Sequence, residues 1–202
     1  ALIGGLVGSA IVYKSSFLIV NWSGLFWKVI LWLILSPLIG FIAGFAFMSF
    51  MNMILRNTRP HTVTKIFSKA QIFSAMLIAL NHGGNDAQKT MGIITMTLVS
   101  AGFLHEFSVP LWVKICCALS MALGTSLGGK KIIKTMGSKM ARMTPVNGFS
   151  AEMGASAVIF TATMFDAPVS TTHIITTSIM GVASAKRFSA VRWAVAKDIV
   201  VT

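Results

Sequence analysis

Between Leu80 and Gly92 the chain reads LNHGGNDAQKTMG, which brings Asn81, Asn85, Asp86, Gln88, Lys89 and Thr90 into one short stretch. Apolar runs flank it, QIFSAMLIA before and IITMTLVSAGFL after. These residue types have something to offer a small ion. The amides supply neutral oxygens and N–H groups, Asp86 a carboxylate that can take a proton or neutralise a cation, and Lys89 an ammonium. Gly83 and Gly84 would let the backbone unwind or a ligand come close. An unwound turn would add bare carbonyl oxygens suited to Na+. A charge at mid-bilayer costs at least about 2.5 kcal/mol on insertion scales, so a purpose is expected for it. The plainer purpose is an Asp86–Lys89 pair at i,i+3 that locks two helices together.

A second stretch, APVSTTH from Ala167 to His173, carries different chemistry. Pro168 pre-sets the start of a half-helix. Ser170, Thr171 and Thr172 would stand at its N-terminus, where free N–H groups, hydroxyls and the positive dipole end form an anion site. No Arg lies close by in sequence, which suits an anion that must also be released. The simpler alternative is a Ser/Thr N-cap. Asp166 would cap the tip, and His173 reads as a hydrogen-bonded helix residue rather than a proton carrier. Upstream, Glu152 lies in GFSAEMGAS. It is either an ion ligand or proton acceptor facing inward, or a snorkelling or first-turn carboxylate. Gly154, Ala155, Ser156 and Ala157 would allow close helix approach.

Such residues need a frame to hold them. The chain has 202 residues, 55% hydrophobic and 11% charged, with mean hydropathy +0.79. Soluble domains carry about 25% charged residues. Five acids are too few to solvate a globular surface of this size, so the chain is a membrane protein. The net charge of +12 comes from basic residues between apolar segments, the pattern of cytoplasmic loops rather than of a nucleic-acid face. Cys116 and Cys117 are adjacent in an apolar run and suggest neither a disulfide framework nor a metal site.

Three regions follow. Residues 1–55 read as the end of a first inverted repeat: a half-helix at 1–13, too short to cross a ~30 Å core, then one tilted or bent crossing at 25–55, kinked at Ser36-Pro37. Residues 56–69 read as a basic cytoplasmic loop. Residues 70–202 read as the second repeat. It comprises a helix over 70–104 broken at 81–90, a crossing at 109–128, a basic loop at 129–147, a hairpin over 148–184 and the start of a final helix. The basic stretches 56–69, 129–147 and 185–192 all belong on the cytoplasmic side. The segment 148–184 must then return to the side it left, which makes it a re-entrant hairpin with its tip at Pro168. Irregular backbone at that depth must be buried in protein or line a cavity.

A weak repeat supports the layout. Gly8 aligns with Gly181, Trp22 with Trp193 and Lys28 with Lys197. The expected fold class is therefore an all-α membrane protein: an inverted-repeat secondary transporter with broken helices and a re-entrant helical hairpin. Both ends look cut, so the chain reads as a fragment running from mid first repeat to near the end of the second.

The quoted stretches resemble one family. NHGGNDAQKTMG is similar to the Asn-Asp signature of the inorganic phosphate transporter (PiT) family, in its bacterial form. GFSAEMGASAVIFTATMFDAPVSTTH looks like that family's glutamate-bearing segment and its Pro-x-Ser-Thr-Thr-His tip. NWSGLFWKVILWLILSPLIG is similar to the helix after the first tip. The resemblance runs in order along essentially the whole chain. It implies symport of inorganic phosphate, free or as a metal–phosphate complex, coupled to Na+ or H+, with no other cofactor and no enzymatic chemistry. It implies phosphate binding at Ser170, Thr171, Thr172 and Gln88, and coupling-ion binding at Asn85, Asp86 and Glu152, with Na+ at Asn85 and Asp86. The first copy of both motifs is absent from this chain. The expected setting is the lipid bilayer of the inner membrane, multi-pass, without nucleic acid, and compatible with a homo-oligomer. Two other functions stay open from the residues alone: a permease for another oxyanion such as sulfate, and a non-transporting membrane scaffold or receptor.

Overall fold

The computed structural model describes residues 2–134, 143–165, 167–185 and 191. Expectations that fall on Asp166, Trp193, Lys197 and the final helix lie outside the described residues. Helix α1 spans Leu2–Lys14 and touches the short turn Phe17–Ile19 that follows it. Asn21 then caps the four-residue helix α2, Trp22–Leu25, by accepting the Gly24 N–H at 2.9 Å. A π-helical turn, Phe26–Ile30, leads straight into α3, Leu31–Leu55. The stretch expected as one bent crossing is thus a nearly continuous helix whose irregularity lies at its start. Pro37 sits inside α3, where its ring nitrogen offers no hydrogen to the Leu33 carbonyl. The Ser36 hydroxyl, 1% exposed, donates to that carbonyl at 3.4 Å and relieves it.

Two expectations are corrected in α4, which spans Pro60–Ser100. The basic stretch 56–69 is mostly helix and only its first four residues are not. Arg59 is extended, ψ 131°, as a residue before proline must be, and Pro60 opens the helix at a position where its missing N–H costs nothing. The break expected at 81–90 is absent too: α4 runs unbroken through Gly83-Gly84. Neither glycine has positive φ, and a Cβ on either would meet nothing within 4 Å. Glycine lowers helix propensity by about 1 kcal/mol but does not by itself unwind a helix held in place by its neighbours.

Helix α5, Leu111–Lys134, packs on α4. Helix α6, Pro145–Met164, and helix α7, Thr171–Ser184, form the expected hairpin. The pair lies between α3 on one side and α4 on the other. Ala155, Val158, Ile159, Ala162, Ala167, Val169 and Ile174 fill its core against Trp32, Ile39 and Ile78. At 14 residues α7 is about 21 Å long, too short to cross a ~30 Å core. Nearly all of it is buried, so its irregular start is shielded by protein as the bilayer demands.

The close packing has a cause in glycine. A Cβ on Gly40 would sit 2.6 Å from Thr177 Oγ1, and one on Gly181 would collide with the Phe41 carbonyl oxygen. Large apolar side chains point outward instead: Ile34, Leu38 and Ile42 of α3, Phe73 and Met76 of α4, Leu119 and Leu123 of α5 are exposed. That inversion is what lipid rewards. Among the described residues three helical stretches are long and apolar enough to cross a membrane: Trp22–Leu55, Pro60–Ser100 and Leu111–Gly129.

Candidate functional site

The cross-links between α4 and α6 set the geometry. Ser74 donates to Glu152, 78 positions on; Asn81 Nδ2 donates to the Ser156 carbonyl, 75 on; Asn85 Nδ2 donates to Thr163 Oγ1, 78 on. Partner numbers rise together, so the two helices run parallel in a nearly constant register. Residues 81, 85 and 89 recur at i, i+4, i+8 and form one stripe facing the hairpin. Asn85 stands 15 residues from each end of the apolar part of α4, 70–100, or about 22 Å along the helix. The hairpin tip therefore meets α4 near the middle of its apolar length.

At that level the last member of the stripe reaches the tip. Lys89 Nζ lies 3.1 Å from Asp86 Oδ1 and 3.5 Å from the Val169 carbonyl oxygen, one residue before the α7 cap. The other Asp86 oxygen, Oδ2, is 3.5 Å from His82 Nε2. The i,i+3 pair anticipated as a helix lock thus forms, yet its ammonium also touches the hairpin. Asn85 is 8% exposed and its Oδ1 has no hydrogen-bond partner. An orphaned buried oxygen beside a carboxylate is a place for a cation or a donor.

Across from this turn, α7 begins. Ser170 is its N-cap, accepting the His173 N–H at 3.4 Å, so the simpler alternative for Ser170 is realised. The first N–H groups of the helix, those of Thr171 and Thr172, have no partner within it. Thr171 is buried and Thr172 exposed. The His173 carbonyl accepts the Thr177 hydroxyl at 2.8 Å.

Of the expected set, Asp86 is linked through Lys89 to the Val169 carbonyl that precedes Ser170, Thr171 and Thr172, and Asn85 bonds to Thr163 at the end of α6. Gln88 stands apart. About 100° round the helix from Lys89, it lines a groove of about 1100 Å³ between α4 and α5, with Gly83, Gly84, Met91, Phe107 and Met121. Glu152 also stands apart, facing Ser74, 11 residues before Asn85 on α4 and so about 17 Å from it. Lys89, Ser74 and Thr163 were not among the expected site residues. For Lys89 the signal was present in the 81, 85, 89 spacing.

A family profile described as the phosphate transporter family matches residues 1–202. A "Probable low-affinity inorganic phosphate transporter" of Bacillus subtilis (strain 168) is 46% identical over 204 residues, covering 100% of this chain and 60% of that protein. A protein of the same description from Rhizobium meliloti (strain 1021) is 47% identical over 202 residues, with the same coverage. The chain thus spans about 60% of the length of these relatives. A solved structure titled "The sodium-dependent phosphate transporter" superposes with a TM-score of 0.73 at 20% identity, over 90% of this chain and 62% of that one. That likeness supports the arrangement of helices described above.

Proposed function

The chain belongs to the phosphate transporter family, a family of multi-pass membrane proteins, and from this we propose that the full-length protein carries inorganic phosphate across the cell membrane by cation-coupled symport. One observation supports the reading: Lys89, on the turn of α4 that carries Asn85 and Asp86, reaches the Val169 carbonyl just before the start of α7.

Each part has a task in that scheme. The N–H groups of Thr171 and Thr172, the Ser170 and Thr172 hydroxyls and the positive end of α7 hold the phosphate oxygens. Asn85 Oδ1 and Asp86 receive the coupling cation, Na+ or H+, and offset the anion's charge. Glu152, three turns nearer the basic start of α4, offers a second carboxyl group along the same α4–α6 seam. Rocking of the hairpin against α3 and α4 opens the site alternately to each side, the usual motion of such folds.

Uptake of radiolabelled phosphate into liposomes containing the full-length protein tests this. Uptake should depend on a Na+ or H+ gradient and fall at least about tenfold in Asp86→Asn and in Ser170→Ala/Thr172→Ala, the loss expected for hydrogen bonds to a charged ligand. Uptake that survives both substitutions rejects the assignment. Uptake of radiolabelled sulfate in place of phosphate, with excess phosphate failing to compete against it, would point to a different oxyanion.

A further inference from the structure

Asp86 is already neutralised by its own chain. Lys89 holds one carboxylate oxygen at 3.1 Å and His82 stands 3.5 Å from the other. A free cation approaching Asp86 must compete with that ammonium. At the same time the ammonium is 3.5 Å from the Val169 carbonyl, two residues from the Thr171 N–H that opens α7. A lysine head carries three N–H donors, and these two contacts use two of them. Its four-carbon stem leaves it mobile, and the side chain is 41% exposed. Next to it, Asn85 is buried with an unpartnered Oδ1 and faces the same tip through Thr163.

We propose that Lys89 is a tethered counter-cation that couples the two ligands: a coupling cation bound at Asn85 Oδ1 and Asp86 displaces the ammonium from the carboxylate, and the freed ammonium turns to an oxygen of the phosphate at the α7 N-terminus. This rests on the phosphate reading above. The coupling follows from charge alone. With no cation bound, Lys89 is held by Asp86 and the anion lacks its partner. With the cation bound, Asp86 is satisfied and Lys89 becomes a phosphate ligand. Each ligand then strengthens the other, reciprocally. Lys89 plays opposite parts towards the two, competitor for the cation and ligand for the anion.

Removing it must therefore shift the two affinities in opposite directions. The experiment measures equilibrium binding of radiolabelled inorganic phosphate, and of NaCl or protons alone by thermal shift, to the purified full-length protein and to its Lys89→Met and Lys89→Gln forms. Both substitutions should weaken phosphate binding by about tenfold or more, the usual loss of a charged hydrogen bond. Both should let the cation bind at lower concentration than in the unsubstituted protein, and should flatten the dependence of phosphate affinity on cation concentration. Using two variants covers the case in which one fails to fold. Phosphate affinity unchanged in the variants overturns the proposal, as does a parallel weakening of both ligands, which a purely structural lysine would produce. Absence of phosphate binding to the unsubstituted protein instead overturns the phosphate reading itself, and this proposal with it.

Discussion

Gly44 of α3 and Ser178 of α7 meet backbone to backbone: a methyl group on Gly44 would fall onto the Ser178 carbonyl oxygen. The Ser178 hydroxyl is meanwhile committed to the Ala151 carbonyl of α6 at 2.9 Å, so the three helices are fastened at one level. Gly40 and Gly181 make equally close approaches in the same seam. In lipid, where apolar burial gives helices little reason to associate, such contact is what holds them.

Gly44→Ala and Gly181→Ala should each therefore cost about 1–3 kcal/mol or more, the range for forcing a methyl group into a packed interior. Gly4→Ala, in α1 where an added Cβ meets nothing within 4 Å, serves as the control and should be neutral or raise stability by up to about 1 kcal/mol. Thermal unfolding of the purified protein in detergent reads the difference. Equal melting of all three variants would contradict the close α3–α7 crossing.

Glu152 and Ser74 give a second test. Ser74 is fully buried and donates to the carboxyl group from the facing helix. Ser74→Ala should cost about 1–3 kcal/mol because it leaves a buried polar group short of a partner. Glu152→Gln in the same background should recover part of that loss, since an amide needs less from its surroundings than a carboxylate. A double-mutant cycle should give a coupling of about 0.5–3 kcal/mol. Simple additivity would mean that the two side chains do not depend on each other.

Gly83 and Gly84 separate the helical geometry from the unwound one expected of the sequence. In a continuous helix with open space beside both, Gly83→Ala and Gly84→Ala should be neutral or raise stability by about 0.5–1 kcal/mol each, the usual gain over glycine in a helix interior. In an unwound turn that needs glycine conformations, the same changes would be damaging. Circular dichroism and melting temperature of the two variants decide it.

Those two glycines show where the sequence speaks and where it is silent. Pro168 with Ser170, Thr171 and Thr172 marked the hairpin tip because proline and short hydroxyl side chains have local meaning at helix starts, and the tip lies there. The spans followed from apolar length, which the bilayer fixes. Gly83-Gly84, by contrast, permits either an unwound turn or a helix with a groove beside it, and the pair lies in a helix that is tied to α6 by Asn81 and Asn85 on either side. The start of α4 was hidden by reading basic residues as loop, although Arg59-Pro60 carries its own start signal. Which of Gln88 and Lys89 faces the hairpin depends on the register between α4 and α6. That register is set by contacts some 75–80 positions apart, such as Asn81 with Ser156 and Lys89 with Val169, which no local pattern announces.

Ser170 has two duties that substitution can separate. As N-cap it satisfies the His173 N–H, and as a hydroxyl at the open end of α7 it is placed to donate to phosphate. Ser170→Ala removes both, costing about 1 kcal/mol of stability as well as affinity. Ser170→Gly keeps most of the cap's contribution, because glycine at this position costs only about a few tenths of a kcal/mol, but it has no hydroxyl. The phosphate role thus predicts that Ser170→Gly melts close to the unsubstituted protein while its phosphate affinity falls about as far as that of Ser170→Ala. If the residue is a cap and nothing more, affinity will follow stability and the glycine variant will bind phosphate nearly as well as serine does. Melting temperature and phosphate binding measured on the same two preparations distinguish these outcomes without reference to transport.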